Sequence, residues 1–268
     1  MKQIGLQIYS VRDHFQDKKS IIATLPKLKS MGYDYIQFAG AYDCISSENL
    51  AKASKEAGLF VCGTHYPWDK IQNDVESTVK HHLLLETSLI GLGCMPKEAR
   101  SSLDGLNAFI DKFNEMAEIY YARGFRLLYH NHSFEFKKLD DGKTIFSHLV
   151  ERLDPIKTGF VFDTYWAQHG GQNIIDLIKK LEGRIAVIHL KDFEAAHTYK
   201  LDNGSSLLAP AITRIGDGVL DFENIIKAAE ETGIKYFVVE DDTAPDTGDS
   251  LAAVEKSCDY IHANLLDK

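Results

Sequence analysis

Asp163, His189 and Glu240 each close an apolar run: Phe160-Val161-Phe162-Asp163, Ala186-Val187-Ile188-His189 and Phe237-Val238-Val239-Glu240. Two carboxylates and an imidazole at the ends of neighbouring buried strands are donor types that hold a divalent cation at roughly 2.0–2.3 Å. Without a cation, such carboxylates repel one another and lie partly desolvated. Mixed oxygen and nitrogen ligands favour Mn2+, with Co2+, Zn2+ and Fe2+ as alternatives and Mg2+ less suited to imidazole. The competing reading is that the three residues cap helices or form salt bridges at strand ends.

A fourth ligand is expected from Tyr129-His130-Asn131-His132-Ser133-Phe134-Glu135-Phe136. Glu135 is the preferred one, because a further carboxylate completes a harder site. His130 and His132 fall on one side of an extended chain. They then serve substrate binding and proton transfer, and a histidine of this segment is the alternative fourth ligand. Lys191 follows His189 by two residues and is placed to stabilise negative charge on a substrate oxygen, or else to pair with Asp192 or a nearby glutamate. His65, in Gly63-Thr64-His65-Tyr66-Pro67-Trp68, is a candidate for a substrate hydroxyl. Trp68 and Trp166 are candidates for walls that stack on a sugar ring, although aromatics at such places also simply pack. Arg12 is expected either at an anionic substrate group or in a surface salt bridge.

Eight β-type segments must position these groups: Ile4–Ile8, Tyr35–Phe38, Phe60–Thr64, Ser88–Leu92, Arg126–His130, Gly159–Asp163, Ile185–Leu190 and Tyr236–Glu240. Their continuous apolar character suits strands buried on both faces. Helical patterns separate them, at Ser20–Ser30, Glu48–Ala57, Asp74–Glu86, Leu103–Ala122, Thr144–Leu153, Ile174–Leu181, Phe222–Glu231 and Leu251–Leu266. Pro26 strains the first of these if it begins early. Eight strand–helix units predict one α/β domain over 1–268, a single (β/α)8 TIM barrel, whose chemistry collects at the C-terminal ends of its strands. A doubly wound open sheet is the rival, but Tyr9-Ser10-Val11-Arg12-Asp13 stands where its phosphate-binding glycine loop belongs. The long irregular stretch Lys191–Leu220 is expected over the barrel mouth, with Gly216-Asp217-Gly218 as a turn.

Composition narrows the partners. The chain has 268 residues, 44% of them hydrophobic, and a formal net charge of -9, which disfavours a broad phosphate-backbone surface and hence nucleic acid. Cys44, Cys62, Cys94 and Cys258 form no CxxC pair, as expected of a reducing compartment. The N-terminus reads as a buried strand rather than a leader, and no apolar run reaches the length of a membrane span. A cytoplasmic protein without a membrane partner is expected. Helices on barrel exteriors often make subunit contacts, so a homo-oligomer is an open expectation.

The chain resembles the sugar-phosphate isomerase/epimerase family of xylose-isomerase-like TIM barrels, with inosose-dehydratase-like and 3-keto-sugar-processing relatives. The resemblance runs nearly the full length. It rests on Gly5-Leu6-Gln7-Ile8-Tyr9-Ser10-Val11-Arg12, on the segment around His130, on Asp163-Thr164-Tyr165-Trp166, on His189-Leu190-Lys191-Asp192, on Ile215-Gly216-Asp217-Gly218 and on Val238-Val239-Glu240. It implies a Glu-Asp-His-Glu metal set, carried here onto Asp163, His189 and Glu240. The first glutamate departs from the pattern, because histidines stand at the strand end and Glu135 lies in the following loop. It also implies a divalent-metal-dependent isomerase or epimerase of a sugar or keto-sugar. Glu135 or Glu240 would remove a proton beside the carbonyl, an enediolate would form, and the opposite carboxylate or His132 would return the proton. A dehydratase that expels a β-hydroxyl from the same intermediate is the second reading, and a non-catalytic sugar-binding barrel the third.

Overall fold

The computed structural model describes residues 1, 3–40 and 42–266. Eight parallel strands close into a barrel: β1 (Gly5–Gln7), β2 (Tyr35–Ala39), β3 (Phe60–His65), β4 (Leu89–Leu92), β5 (Arg126–His130), β6 (Thr158–Asp163), β7 (Ile185–Leu190) and, after an inserted hairpin, β10 (Tyr236–Val239). Each strand pairs with its sequence neighbour in the barrel, and β10 pairs with both β7 and β1. Helices between the strands cover the outside. Closure leaves no barrel edge unpaired, which is why near-continuous apolar runs can serve as strands without inviting a further strand.

The weakest predicted strand forms as β4, and Gly91 is the reason it fits: a Cβ there would collide with the carbonyl oxygen of Thr64 on β3. The helix Lys18–Met31 runs through Pro26, held across the missing N–H by the burial of Ile21, Leu25 and Leu28. Two short helices, Trp68–Asn73 and Thr164–His169, lie in segments where no helix is predicted.

Apolar side chains divide into two bodies. A large one fills the space between sheet and helices. A smaller one lies inside the barrel and contains Tyr35, Cys62, Leu128, Val161, Val187 and Val238. Successive side chains of a strand alternate between faces, so the residue two further on shares the barrel interior. Those residues are His130 after Leu128, Asp163 after Val161, His189 after Val187 and Glu240 after Val238. The pairing Asp163↔His189 and the pairing Val238↔His189 fix the relative heights of these groups. A two-residue step along four strands therefore converts an apolar plug into a ring of ionisable groups.

The stretch expected to be irregular after β7 instead contains an antiparallel hairpin, β8 (Asp192–Lys200) with β9 (Ser206–Thr213). Its base is tied down by Asp192. One carboxylate oxygen accepts from the N–H groups of Phe193 and Leu220, the other from those of Gly216 and Gly218. Gly216 adopts φ +93°, and a Cβ at Gly218 would strike the Asp192 carboxylate, so both glycines of this turn are required by the backbone. Among the described residues no helix is long and apolar enough to cross a membrane.

Candidate active site

His130, Asp163, His189 and Glu240 are all buried, and one ligand atom from each lies within 4.8 Å of all the others. The strand-five donor in this group is thus His130, in place of the expected Glu135. Glu135 is fully buried, where its carboxylate accepts from the Tyr129 hydroxyl at 2.6 Å and from the His132 N–H at 2.8 Å. The short 3-10 turn Phe134–Phe136 directs it there, and it does not line the cleft. The extended strand end presents His130, the alternative donor, directly inward, whereas a loop residue must turn back to reach the same point.

The direction of the hydrogen bonds shows what the cluster lacks. His130 Nδ1 lies 3.1 Å from the Gly93 carbonyl, which only accepts, so Nδ1 carries the proton and Nε2 presents a lone pair. That Nε2 faces Asp163 Oδ2 at 3.6 Å and Glu240 Oε2 at 4.0 Å. Both Nε2 of His130 and Oδ2 of Asp163 are buried without a hydrogen-bond partner. Acceptor faces acceptor there, with the Lys191 ammonium 3.4 Å from Asp163 Oδ2 and no donor at His130 Nε2, an arrangement that a cation beside His130 would complete. These four side chains fit a divalent ion by donor type, by convergence and by their unmet polar atoms. Asp163 Oδ1 is already committed: it caps the helix Thr164–His169 by accepting from Trp166 N–H at 2.7 Å. Asn131 accepts from the Asp163 N–H and holds the strand end in place.

Lys191 is the cation that the chain itself supplies. It is 1% exposed, with Nζ at 2.9 Å from Asp242 Oδ2, 3.0 Å from Glu240 Oε2 and 3.4 Å from Asp163 Oδ2. Burial alone would favour a neutral amine, but Asp163, Glu240 and Asp242 outweigh it and keep the ammonium form. Burial likewise pushes Glu240 upward, and Lys191 and His189 outweigh it, so its carboxyl lies well below the ordinary range. For Asp163 burial prevails over Lys191, and the net shift is upward. Burial, reinforced by neighbouring imidazoles, drives His65 and His130 well below the ordinary histidine value.

A cleft of about 510 Å³ opens onto this cluster. Among the expected residues His65, Trp68, His130, His132, Trp166, Lys191 and Glu240 line it. Trp68 also stacks on Phe113 at 5.8 Å, so it belongs partly to the core. Trp166 packs against His132 and stands 5.5 Å from the Lys191 ammonium. Arg12 does not line the cleft. Its guanidinium donates to the carbonyls of Tyr9 and Asp242 and lies 4.2 Å over the Tyr9 ring, so it braces the rim instead of awaiting an anion.

Tyr9, Tyr66 and Asp242 line the cleft without having been singled out in the sequence, and Gln7 and Gln37 stand behind it, both fully buried. Strand alternation gives no signal for Tyr9 or Asp242, since Tyr9 lies in the 3-10 segment Ile8–His14 and Asp242 lies beyond the end of β10.

The model of the xylose isomerase-like TIM barrel family matches residues 25–263. An inosose dehydratase from Geobacillus thermodenitrificans is 28% identical over 158 residues, which are 57% of this chain and 52% of that protein. The chain thus spans about half the length of the curated relatives it matches. A crystal structure of a sugar phosphate isomerase/epimerase from Parabacteroides distasonis superposes with a TM-score of 0.82 at 26% identity, covering 100% of this chain and 96% of that one. A probable 3-DHS dehydratase from Bacillus anthracis shares the fold, with a TM-score of 0.72 at 12% identity over 97% of this chain and 99% of that one.

Proposed function

Because the chain belongs to the xylose isomerase-like TIM barrel family, we propose that it is a divalent-metal-dependent isomerase or epimerase of a small sugar or keto-sugar. The observation that carries this reading is the buried His130–Asp163–His189–Glu240 group, in which the lone pair of His130 faces two carboxylates at the floor of an open cleft. These four residues would hold the metal, with Mn2+ the best match to the donors. When bound, the metal supplies Lewis-acid polarisation of a substrate carbonyl.

The chain's own groups do the rest. Tyr9, Trp68 and Trp166 provide apolar faces on which a sugar ring stacks. Glu240 Oε2 is engaged by His189 and Lys191, which leaves Oε1 to take the proton from the carbon beside the carbonyl. Negative charge then grows on the carbonyl oxygen, and the fixed ammonium of Lys191 opposes it without reorganising. His132, on the cleft wall, returns a proton from the other side. Glu135 holds this segment in place: its carboxylate accepts from the His132 N–H and lies 3.9 Å from His132 Nδ1.

A dehydratase is the second reading, favoured by the curated relatives that carry the name inosose dehydratase. The two share the first proton abstraction and part at the next bond. The test is incubation of the Mn2+-loaded protein in D2O with a panel of ketoses, inososes and 3-keto sugars. Deuterium should enter at the carbon beside the carbonyl, cease on chelation and return with Mn2+. A product retaining every hydroxyl identifies an isomerase or epimerase, and a product lacking the elements of water identifies a dehydratase. Sugar binding with no exchange at all would mean a non-catalytic barrel and would overturn the proposal.

A further inference from the structure

Behind the cleft floor, Gln7 on β1 and Gln37 on β2 form a buried amide pair that connects two histidines. Gln7 Nε2 donates to Gln37 Oε1 at 2.8 Å, and the same oxygen is 2.6 Å from His189 Nε2. Gln7 Nε2 is also 3.4 Å from His65 Nδ1. The chain of bonds is bounded at one end by a backbone group, 3.4 Å from Gln7 Oε1, and at the other by the Glu240 carboxylate, 2.8 Å from His189 Nδ1. Tyr9 N–H can only donate, and it meets Gln7 Oε1, which caps the segment Ile8–His14. The amide nitrogen of Gln7 must therefore face Gln37, and Gln37 must answer with its oxygen, since an amide offers one accepting and one donating end.

Two consequences reach the site. An oxygen at Gln37 requires a proton on His189 Nε2, and a neutral ring then keeps its lone pair on Nδ1, 2.8 Å from Glu240 Oε2, where a cation held by both atoms would take the place of a shared proton. A donor at Gln7 requires a lone pair on His65 Nδ1, which places the proton of neutral His65 on Nε2. His65 lines the cleft, and its Nε2 is buried without a protein partner. The ring has little freedom, since it packs against Gly93, where a Cβ would come within 3.1 Å of Nδ1.

We propose that Gln7 and Gln37 are positioning residues that set the tautomers of His65 and His189, so that His65 presents an Nε2–H donor to a substrate oxygen while His189 presents Nδ1 to the metal. This rests on the proposed function for the identity of the acceptor, a carbohydrate oxygen. Its structural part can be tested without any sugar.

The first measurement is nitrogen NMR of 15N-histidine-labelled protein near neutral pH, with His65 assigned through His65→Asn. His65 should show the Nε2–H form, and Gln7→Leu should convert it to a mixture of tautomers. The second is calorimetric titration with Mn2+ alone. Gln37→Leu should weaken binding roughly 10–100-fold, as loss of an outer hydrogen-bond partner does. Gln37→Glu, which still accepts from His189, should restore affinity to within a few-fold of wild type. Circular dichroism checks that each variant folds, and Gln37→Met replaces Gln37→Leu should the latter not fold. A wild-type His65 protonated on Nδ1, or undiminished Mn2+ affinity in Gln37→Leu or Gln37→Met, overturns the inference. Should these results hold while no carbohydrate undergoes exchange, the tautomer assignment stands and the reading of the reaction fails.

Discussion

Two layers of the barrel interior, one residue pair apart, behave as different materials. The lower holds Leu128, Val161, Val187 and Val238, and the upper holds His130, Asp163, His189 and Glu240. The same four strands supply both, with the same pleat and the same closure. Only side-chain chemistry changes. The lower layer gains from exclusion of water, whereas the upper layer carries charge that burial penalises and that Lys191 compensates, together with a cation in the proposed function. Stability and function are thereby separated along the strand axis rather than between different segments of chain.

The contrast can be broken most severely from above. Glu240→Gln removes the charge that Lys191 and His189 both contact. Turnover should fall at least ~10²–10³-fold and Mn2+ affinity should drop, while the cooperative thermal transition is retained, since Lys191 keeps Asp163 and Asp242 and apolar packing is untouched. Steady-state rates, calorimetric titration and a melting curve check the three parts. Full turnover in this variant would remove the upper layer from the chemistry.

An intermediate effect comes from below. Leu128→Ala should cost about 2–5 kcal/mol of unfolding free energy through lost burial and an unfilled cavity. Mn2+ affinity should remain within a few-fold of wild type, because His130 keeps its Gly93 partner. Urea unfolding and metal titration of the same preparation test whether the layers are as separable as their geometry implies.

The effect that is smallest at neutral pH, and grows only in acid, uses histidines on the outer side of the barrel wall. His82 is fully buried, with Nδ1 donating to the Thr78 carbonyl and Nε2 paired to the Thr64 hydroxyl. Burial pulls it down to about 3, and pulls its neighbour His81 down to about 4. Both folded values lie below the unfolded value of about 6.5, so the unfolded chain binds more protons in acid. Their stabilising contribution is complete above about pH 6.5 and is lost as pH falls toward 4 and below, at up to ~1.4 kcal/mol per pH unit for each proton. Urea midpoints measured across this range should fall more steeply in wild type than in His82→Gln. Equal slopes would mean that His82 is charged in the folded protein.

Much of the architecture was legible because buried parallel strands leave continuous apolar runs. Arg126–His130 and Ile185–Leu190 form strands with the predicted bounds, and the others differ at their ends by one or two residues. The hairpin was not legible. Tyr199, Leu207 and Leu208 are exposed on it, so no core face imposes a two-residue pattern of polarity. Trp68–Asn73 and Thr164–His169 are less than two turns long, too short for a helical period to declare itself. In the site, charged groups at strand ends could be read, but the turn that carries Glu135 to Tyr129 could not, because loop direction is not encoded in residue type. Gln7 and Gln37 carry no charge and hide within apolar strands. Their only signal is that a buried amide must find partners.

The anchoring of the hairpin by Asp192 has one more implication. Four peptide N–H groups drawn from both ends of the excursion converge on a single side chain adjacent to Lys191. Whatever the tip does, its roots are pinned at the neck, so lengthening, trimming or exchanging residues near Asn203 leaves the ammonium next door undisturbed. The barrel thus carries an interchangeable attachment point, where a surface excursion can be redrawn by recombination or by design while the interior ring keeps its alignment.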